Sequence, residues 1–165
     1  MLAKALANEA GVPFYYISAA SLDAPIVGTG ARTLRNLFSS IQLPAIVFID
    51  EIDSMGNRSN DTFNTRHHHQ SLNQLLTLVD GFKSNSGLLL IGATNLLSGL
   101  DPALTRSGRF DRAIHVALPT FEERKMMWTY YLNKVRHQAG KVNFEVLARV
   151  SVGLSGGNSK IIQKI

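Results

Sequence analysis

The run Ile46-Val47-Phe48-Ile49, broken at once by Asp50-Glu51 and then by Asp53, constrains this chain more than any other stretch. Consecutive large apolar residues of this kind suit a strand buried on both faces, the situation of a parallel sheet covered by helices. Acids placed where such a strand ends lie at the edge where open α/β sheets bind their ligands. One carboxylate there can hold a hydrated cation, and a second can take a proton from water. A core strand that merely runs into a charged turn has the same pattern, so the remaining chain has to decide.

The flanking segments alternate between helical and strand character. Residues 1–10 are strong helix formers with Leu2 and Leu6 four apart and Gly11 as a stop. No capping residue precedes them, as if the helix were already under way at Met1. Residues 12–17 (VPFYYI) read as a strand with Pro13 at its edge, 18–30 as a loop, and 31–41 as a helix with Leu34, Leu37, Phe38 and Ile41 on one face. After the 46–53 strand, the polar stretch 56–65 reads as a mobile loop. His67, His68 and His69 then read as a solvated helix start, because consecutive helical residues diverge and do not converge on one ion. Residues 71–79 form an amphipathic helix closing at Asp80-Gly81.

Further strands are expected at 87–93 (GLLLIGA) and 113–118 (AIHVAL). Between them lie a short helix at 100–104, with Asp101 as its cap, and a charged loop at 107–112. Thr120 caps a helix over 121–135 whose first turn carries Glu122 and Glu123. A shorter helix follows at 144–152, and another begins at 158. The order implies an α/β fold, a parallel sheet flanked by helices, followed by a helical segment.

Composition excludes several classes. There is no cysteine among the 165 residues, which removes disulfides and thiolate metal sites. No apolar run approaches the roughly 20 residues needed to cross a bilayer, and residues 1–4 lack the layout of a signal peptide. The formal net charge of +5 is spread along the chain without a basic cluster, so no nucleic-acid partner is expected.

Five motifs agree in order and spacing: IVFIDEID at 46–53, LTLVDGF at 76–82, GATN at 92–95, LDPALTRSGRFDR at 100–112 and LSGGN at 154–158. Together they resemble an AAA ATPase of the FtsH-type branch, the membrane-bound ATP-dependent zinc proteases of bacteria, mitochondria and plastids. The resemblance implies an AAA+ P-loop NTPase core over 1–119 and the start of a helical lid over 120–165, with ATP and Mg2+ as cofactors. IVFIDEID is then the Walker B motif. Asp50 would hold the magnesium ion through water, and Glu51 would orient and deprotonate the attacking water. Asn95 matches the sensor-1 position. Arg109 and Arg112 match arginine fingers that reach into a neighbouring subunit, which implies a ring, typically a hexamer. Asp80, Gly81 and Phe82 would signal nucleotide state between subunits. Gly156 would back the adenine, and Ile26, Val27 and Gly28 fall at the pore loop that grips a protein substrate.

The chain departs from the family in several ways. It contains no GxxxxGK[ST], so the phosphate loop and the first strand of the sheet are expected to be missing, with Met1 an internal methionine of a longer frame. Ile26 stands where the family carries an aromatic residue, and Pro25 stiffens that loop. No HExxH occurs, so the chain has no peptidase site of its own, and any membrane anchor would lie outside it. The expectation is part of an ATPase that drives protein unfolding linked to proteolysis; the alternative is a degenerate AAA module, without ATPase activity, acting as an assembly subunit.

Overall fold

Strand β2 (Ala45–Asp50) lies at the centre of a three-stranded sheet, between β1 (Phe14–Ser18) and β3 (Leu88–Gly92). Both pairings are parallel, with Ser18 opposite Asp50 and Ile49 opposite Gly92. All three strands therefore end at one edge, and the acids of the 46–53 motif sit in its middle. The computed structural model describes residues 1–22, 28–56, 64–82, 87–134 and 142–155. The polar loop at 57–63, Ile26, Val27, Gly156, the helix expected from 158, and the side chains of Phe82 and of the three consecutive histidines lie outside what is described.

The chain forms two compact units, Met1–Ala113 and Ile114–Ile165. In the first, helix α1 (Leu2–Ala10) ends as its glycine predicts: Gly11 takes φ 65°, its N–H donates to the Asn8 carbonyl, and the Val12 N–H donates to the Ala7 carbonyl. That is a Schellman ending, which satisfies carbonyls the helix leaves open. Helices α2 (Thr29–Ser40) and α3 (Asn64–Phe82) pack on each other and bury Leu34, Phe38, Leu72, Leu75 and Val79 against Val47 and Ile49 of β2. Ile52, Met55 and Leu104 complete this core.

Four expectations are corrected. Residues 18–30 are not all loop: Ala19–Leu22 forms a 3₁₀ turn, and α2 already starts at Thr29. Helix α3 does not close at Asp80-Gly81 but runs through Phe82. A glycine ends a helix when it turns left-handed, and Gly81 has no positive φ. The short helix at 100–104 is a single turn: Asp101 Oδ1 accepts from the Ala103 N–H at 2.8 Å, as a cap should, but Phe110 N–H takes the Leu104 carbonyl and the chain folds back. Residues 113–118 pair with no described strand, and Ile114 is 88% exposed. Alternating apolar residues supply a strand's pattern but not the neighbour it must bond.

In the second unit, α4 (Phe121–Leu132) starts with a capping box: the Glu123 N–H donates to Thr120 Oγ1, and the Thr120 N–H donates to Glu123 Oε2 at 2.7 Å. Helix α5 (Phe144–Val150) is capped by Asn143 and packs on α4. Arg124, Trp128 and Tyr131 follow the i, i+4, i+7 spacing of one helix face. Trp128 and Tyr131 are buried, Trp128 donates to Ser151 Oγ, and Arg124 donates to the Ala148 carbonyl.

Candidate functional site

The C-terminal edge of the sheet gathers the residues the motifs single out. Asp50, the last residue of β2, is half-buried, and its carboxylate accepts two hydrogen bonds. Oδ1 takes the Glu51 backbone N–H at 3.1 Å, and Oδ2 takes the Tyr16 hydroxyl at 3.3 Å. Glu51 then adopts φ 52°, the non-glycine residue with positive φ among the described residues, and its side chain is exposed. A side chain with a Cβ is uncommon in that conformation and costs on the order of 1–3 kcal/mol. The turn is held by its neighbours: the Ile52 N–H donates to the Ala93 carbonyl at 3.0 Å, and the Ser54 N–H to the Glu51 carbonyl. Proximity to Asp50 and Glu51, together with reduced hydration, holds the Tyr16 phenol above its ordinary pKa, first through the lost hydration and then through the adjacent charges.

Strand β3 delivers a second set to the same edge. Ala93 N–H donates to the Ile49 carbonyl, so the end of β3 runs beside the Asp50-Glu51 turn. Thr94 Oγ1 accepts from the Leu96 N–H at 2.9 Å, which bends the chain and leaves Asn95 exposed at the strand's end. Space at Gly92 is tight: a Cβ there would lie 3.1 Å from both Ile52 Cδ1 and Phe110 Cε1. Phe110 packs against the core cluster that includes Ile52.

Phe110 and fully buried Leu104 anchor the loop that carries Arg109 and Arg112. Arg109 is turned inward. Its Nε and one terminal nitrogen bond the two oxygens of Asp80 at 3.0 and 2.6 Å, and its other terminal nitrogen donates to the Ala103 carbonyl at 2.6 Å. Only 17% of its side chain is exposed, and the bonds to Asp80 hold the guanidinium above its ordinary pKa. Two residues expected to work separately, one as a finger and one as a signal, are thus a bidentate pair in this chain. Arg112 is exposed, and Gly81 lies in the last turn of α3 with nothing among the described residues within 4 Å of where a Cβ would stand. Gly28 precedes α2 with φ 80°.

Sequence reasoning missed Tyr16, Thr94, Leu104 and Phe110. Only the aromatic character of 14–16 hinted at the first, and the others fall inside the GATN and LDPALTRSGRFDR motifs, whose spacing assigns them no role of their own.

Among the described residues, no group of three His, Asp or Glu side chains could hold a metal. A lone carboxylate with two donors already fixed on it does not form a protein cage. It does suit a magnesium ion that keeps most of its waters and touches the protein through one or two acids.

A parallel sheet whose central strand ends in an ordered acid and a strained acid presents both carboxylates at the edge where open α/β sheets bind their ligands. Residues 1–118 match the ATPase family associated with various cellular activities (AAA), and the chain belongs to that family. It is 44% identical over 158 residues to the human ATP-dependent zinc metalloprotease YME1L1, covering 94% of this chain and 20% of that protein. It is also 46% identical over 162 residues to the ATP-dependent zinc metalloprotease YME1 homolog of Schistosoma mansoni, covering 96% of this chain and 24% of the relative. Identity to the ATP-dependent zinc metalloprotease FtsH of Mesoplasma florum is 43% over 158 residues, covering 94% and 24%. The chain therefore spans between 20% and 24% of the length of these relatives. No helix among the described residues is long and apolar enough to cross a membrane.

Proposed function

We propose that this chain is the Walker B, sensor and arginine-finger portion of an FtsH-type ATPase, in which ATP hydrolysis drives protein unfolding coupled to proteolysis. The observation that carries the reading is Glu51, held left-handed directly after an ordered Asp50 at the edge where three parallel strands end. Strain of that kind persists when the surroundings over-determine it, and here it turns the second acid away from the strand and into solvent.

Asp50 would hold magnesium through water, and Glu51 would take the proton of the attacking water. Bound magnesium–ATP supplies the phosphoanhydride to be cleaved and a cation that neutralises its oxygens. Asn95 would hold the attacking water from the neighbouring strand. Arg109 would leave Asp80 to meet a neighbour's nucleotide in a ring, with Arg112 beside it, so that the Asp80-Gly81-Phe82 turn reports whether the finger is engaged. Residues 120–165 would begin the helical lid, Gly156 would back the adenine, and Ile26, Val27 and Gly28 would face the protein substrate. The relatives' names, which include a mitochondrial inner membrane i-AAA protease supercomplex subunit of Saccharomyces cerevisiae, support a membrane-associated assembly.

The test joins a strand and a GxxxxGK[ST] loop in frame ahead of Met1 and measures ATP hydrolysis. Glu51→Gln is expected to lower kcat by about 10²–10⁴-fold, the usual range for a lost general base. Arg109→Ala is expected to lower it by about 10³-fold or more. Equal, non-zero turnover in both variants and the parent would refute the roles given to Glu51 and Arg109, and no turnover in the parent would leave the degenerate module in its place.

A further inference from the structure

We propose that Tyr16 is a positioning residue for Asp50, its hydroxyl setting the plane of the carboxylate that receives the hydrated cation; this rests on the reading of Asp50 given above. The register places Tyr16 opposite Phe48 and two residue pairs before the Ser18–Asp50 match, so Tyr16, Phe48 and Asp50 share one face of the sheet. Tyr16 stacks on Phe48 with ring centroids 6.0 Å apart and planes at 21°, and Phe14 stacks on Phe48 at 6.3 Å and 27°. These contacts fix the ring, although Tyr16 is 58% exposed, and the hydroxyl reaches Asp50 Oδ2.

The two donors on Asp50 take different oxygens: Glu51 N–H on Oδ1 at 3.1 Å, Tyr16 O–H on Oδ2 at 3.3 Å. A carboxylate free to rotate about its terminal bond has a broad torsional range. One donor on each oxygen removes that freedom. An ionised carboxylate has about four lone-pair sites, so two donors leave about two to accept from a cation's water shell. The arrangement is an outer-shell device of the kind that orients metal-binding carboxylates. The backbone donor is available to any residue at position 51; the phenol is specific to Tyr16.

The experiment follows Mn2+ titration of the 15N-labelled chain by paramagnetic broadening of the Glu51 and Ile52 amides, which reads binding at Asp50 without turnover. Broadening confined to this edge and lost in Asp50→Asn is expected. Tyr16→Phe keeps the stack on Phe48 and removes only the hydroxyl; it is expected to raise the midpoint about tenfold, the lower end for outer-shell changes. Tyr15→Phe, whose hydroxyl bonds the Ser40 carbonyl and Gln42 N–H away from the site, is expected to leave it unchanged. In the loop-bearing protein, Tyr16→Phe should raise the Mg2+ concentration for half-maximal rate with kcat at saturating Mg2+ preserved, a split that general loosening of the sheet does not produce. Selective broadening with identical midpoints in Tyr16→Phe and parent overturns the positioning role alone. No broadening at Glu51 in the parent chain overturns the reading of Asp50, and the role of Tyr16 with it.

Discussion

Replacing Gly30 and Gly81 by alanine, one at a time, is expected to move stability in opposite directions. Both glycines lie in the end turns of helices, Gly30 in the first turn of α2 and Gly81 in the last of α3, where alanine is favoured by up to about 1 kcal/mol, so propensity alone stabilises both variants. Space separates them. A Cβ on Gly81 meets nothing within 4 Å among the described residues, and the gain should appear undiminished. A Cβ on Gly30 would lie 2.3 Å from the Leu22 carbonyl oxygen and 2.5 Å from Ser71 Oγ, where ordinary contact begins at 3.4 Å. Ser71 Oγ can rotate, but the Leu22 carbonyl belongs to a buried 3₁₀ turn and would have to retreat by about 1 Å, a strain of about 1–3 kcal/mol. The clash is against backbone, so the upper part of that range applies and outweighs the propensity gain. Gly30→Ala should then lose about 1–2 kcal/mol net, while Gly81→Ala gains up to about 1 kcal/mol. At about 2–4 °C per kcal/mol for a chain of this size, the melting temperatures diverge by several degrees. Hydrogen exchange at Val47 and Leu75 reads the first unit directly, and fluorescence of Trp128 reads the second unit separately. Gly30→Ala stabilised to the same extent as Gly81→Ala would refute the close approach of α2 to the Ala19–Leu22 turn.

Leu104→Ala removes a fully buried side chain and should cost about 2–5 kcal/mol in urea denaturation. Because Leu104 anchors the Arg109 loop, the Nε–H resonance of Arg109 should also lose its protection, and protection equal to the parent's would refute the anchoring. Acid should weaken the second unit. Glu123 is held below its ordinary pKa by the Thr120 N–H and hydroxyl, and Glu145 by Lys125. A depressed folded-state value means the stabilisation is complete above the ordinary carboxylate range and is lost as pH falls through the depressed values. Trp128 fluorescence melts should therefore decline with acid, less steeply in Thr120→Ala; a slope unaltered by that change would refute the Thr120 hydroxyl as a source.

Several features were legible from residues alone because their causes are local. Gly11 ends α1 since a left-handed residue is needed within a few positions of the last helical turn, and glycine is the cheapest choice. Thr120 and Glu123 form their box because the partners are three residues apart. The acid pair after Ile49 falls at a strand end because an apolar run cannot continue through two charges without burying them. The strand over 113–118 was misread for the opposite reason, since pairing depends on an edge elsewhere that periodicity does not encode.

What the sequence by itself determined is the parallel α/β class, the place of Asp50 and Glu51 at the end of a buried strand, and membership of the AAA family. Tertiary structure alone decided how those acids are held and what Arg109 touches. Tyr16 reaches Asp50 across 34 positions, and Arg109 reaches Asp80 across 29. The left-handed Glu51 is followed by Ile52, whose N–H donates to the Ala93 carbonyl just past the end of β3, a partner far along the chain. These are contacts between segments far apart in the chain, set by strand register and by Leu104 and Phe110 filling the core, and no local spacing rule contains them.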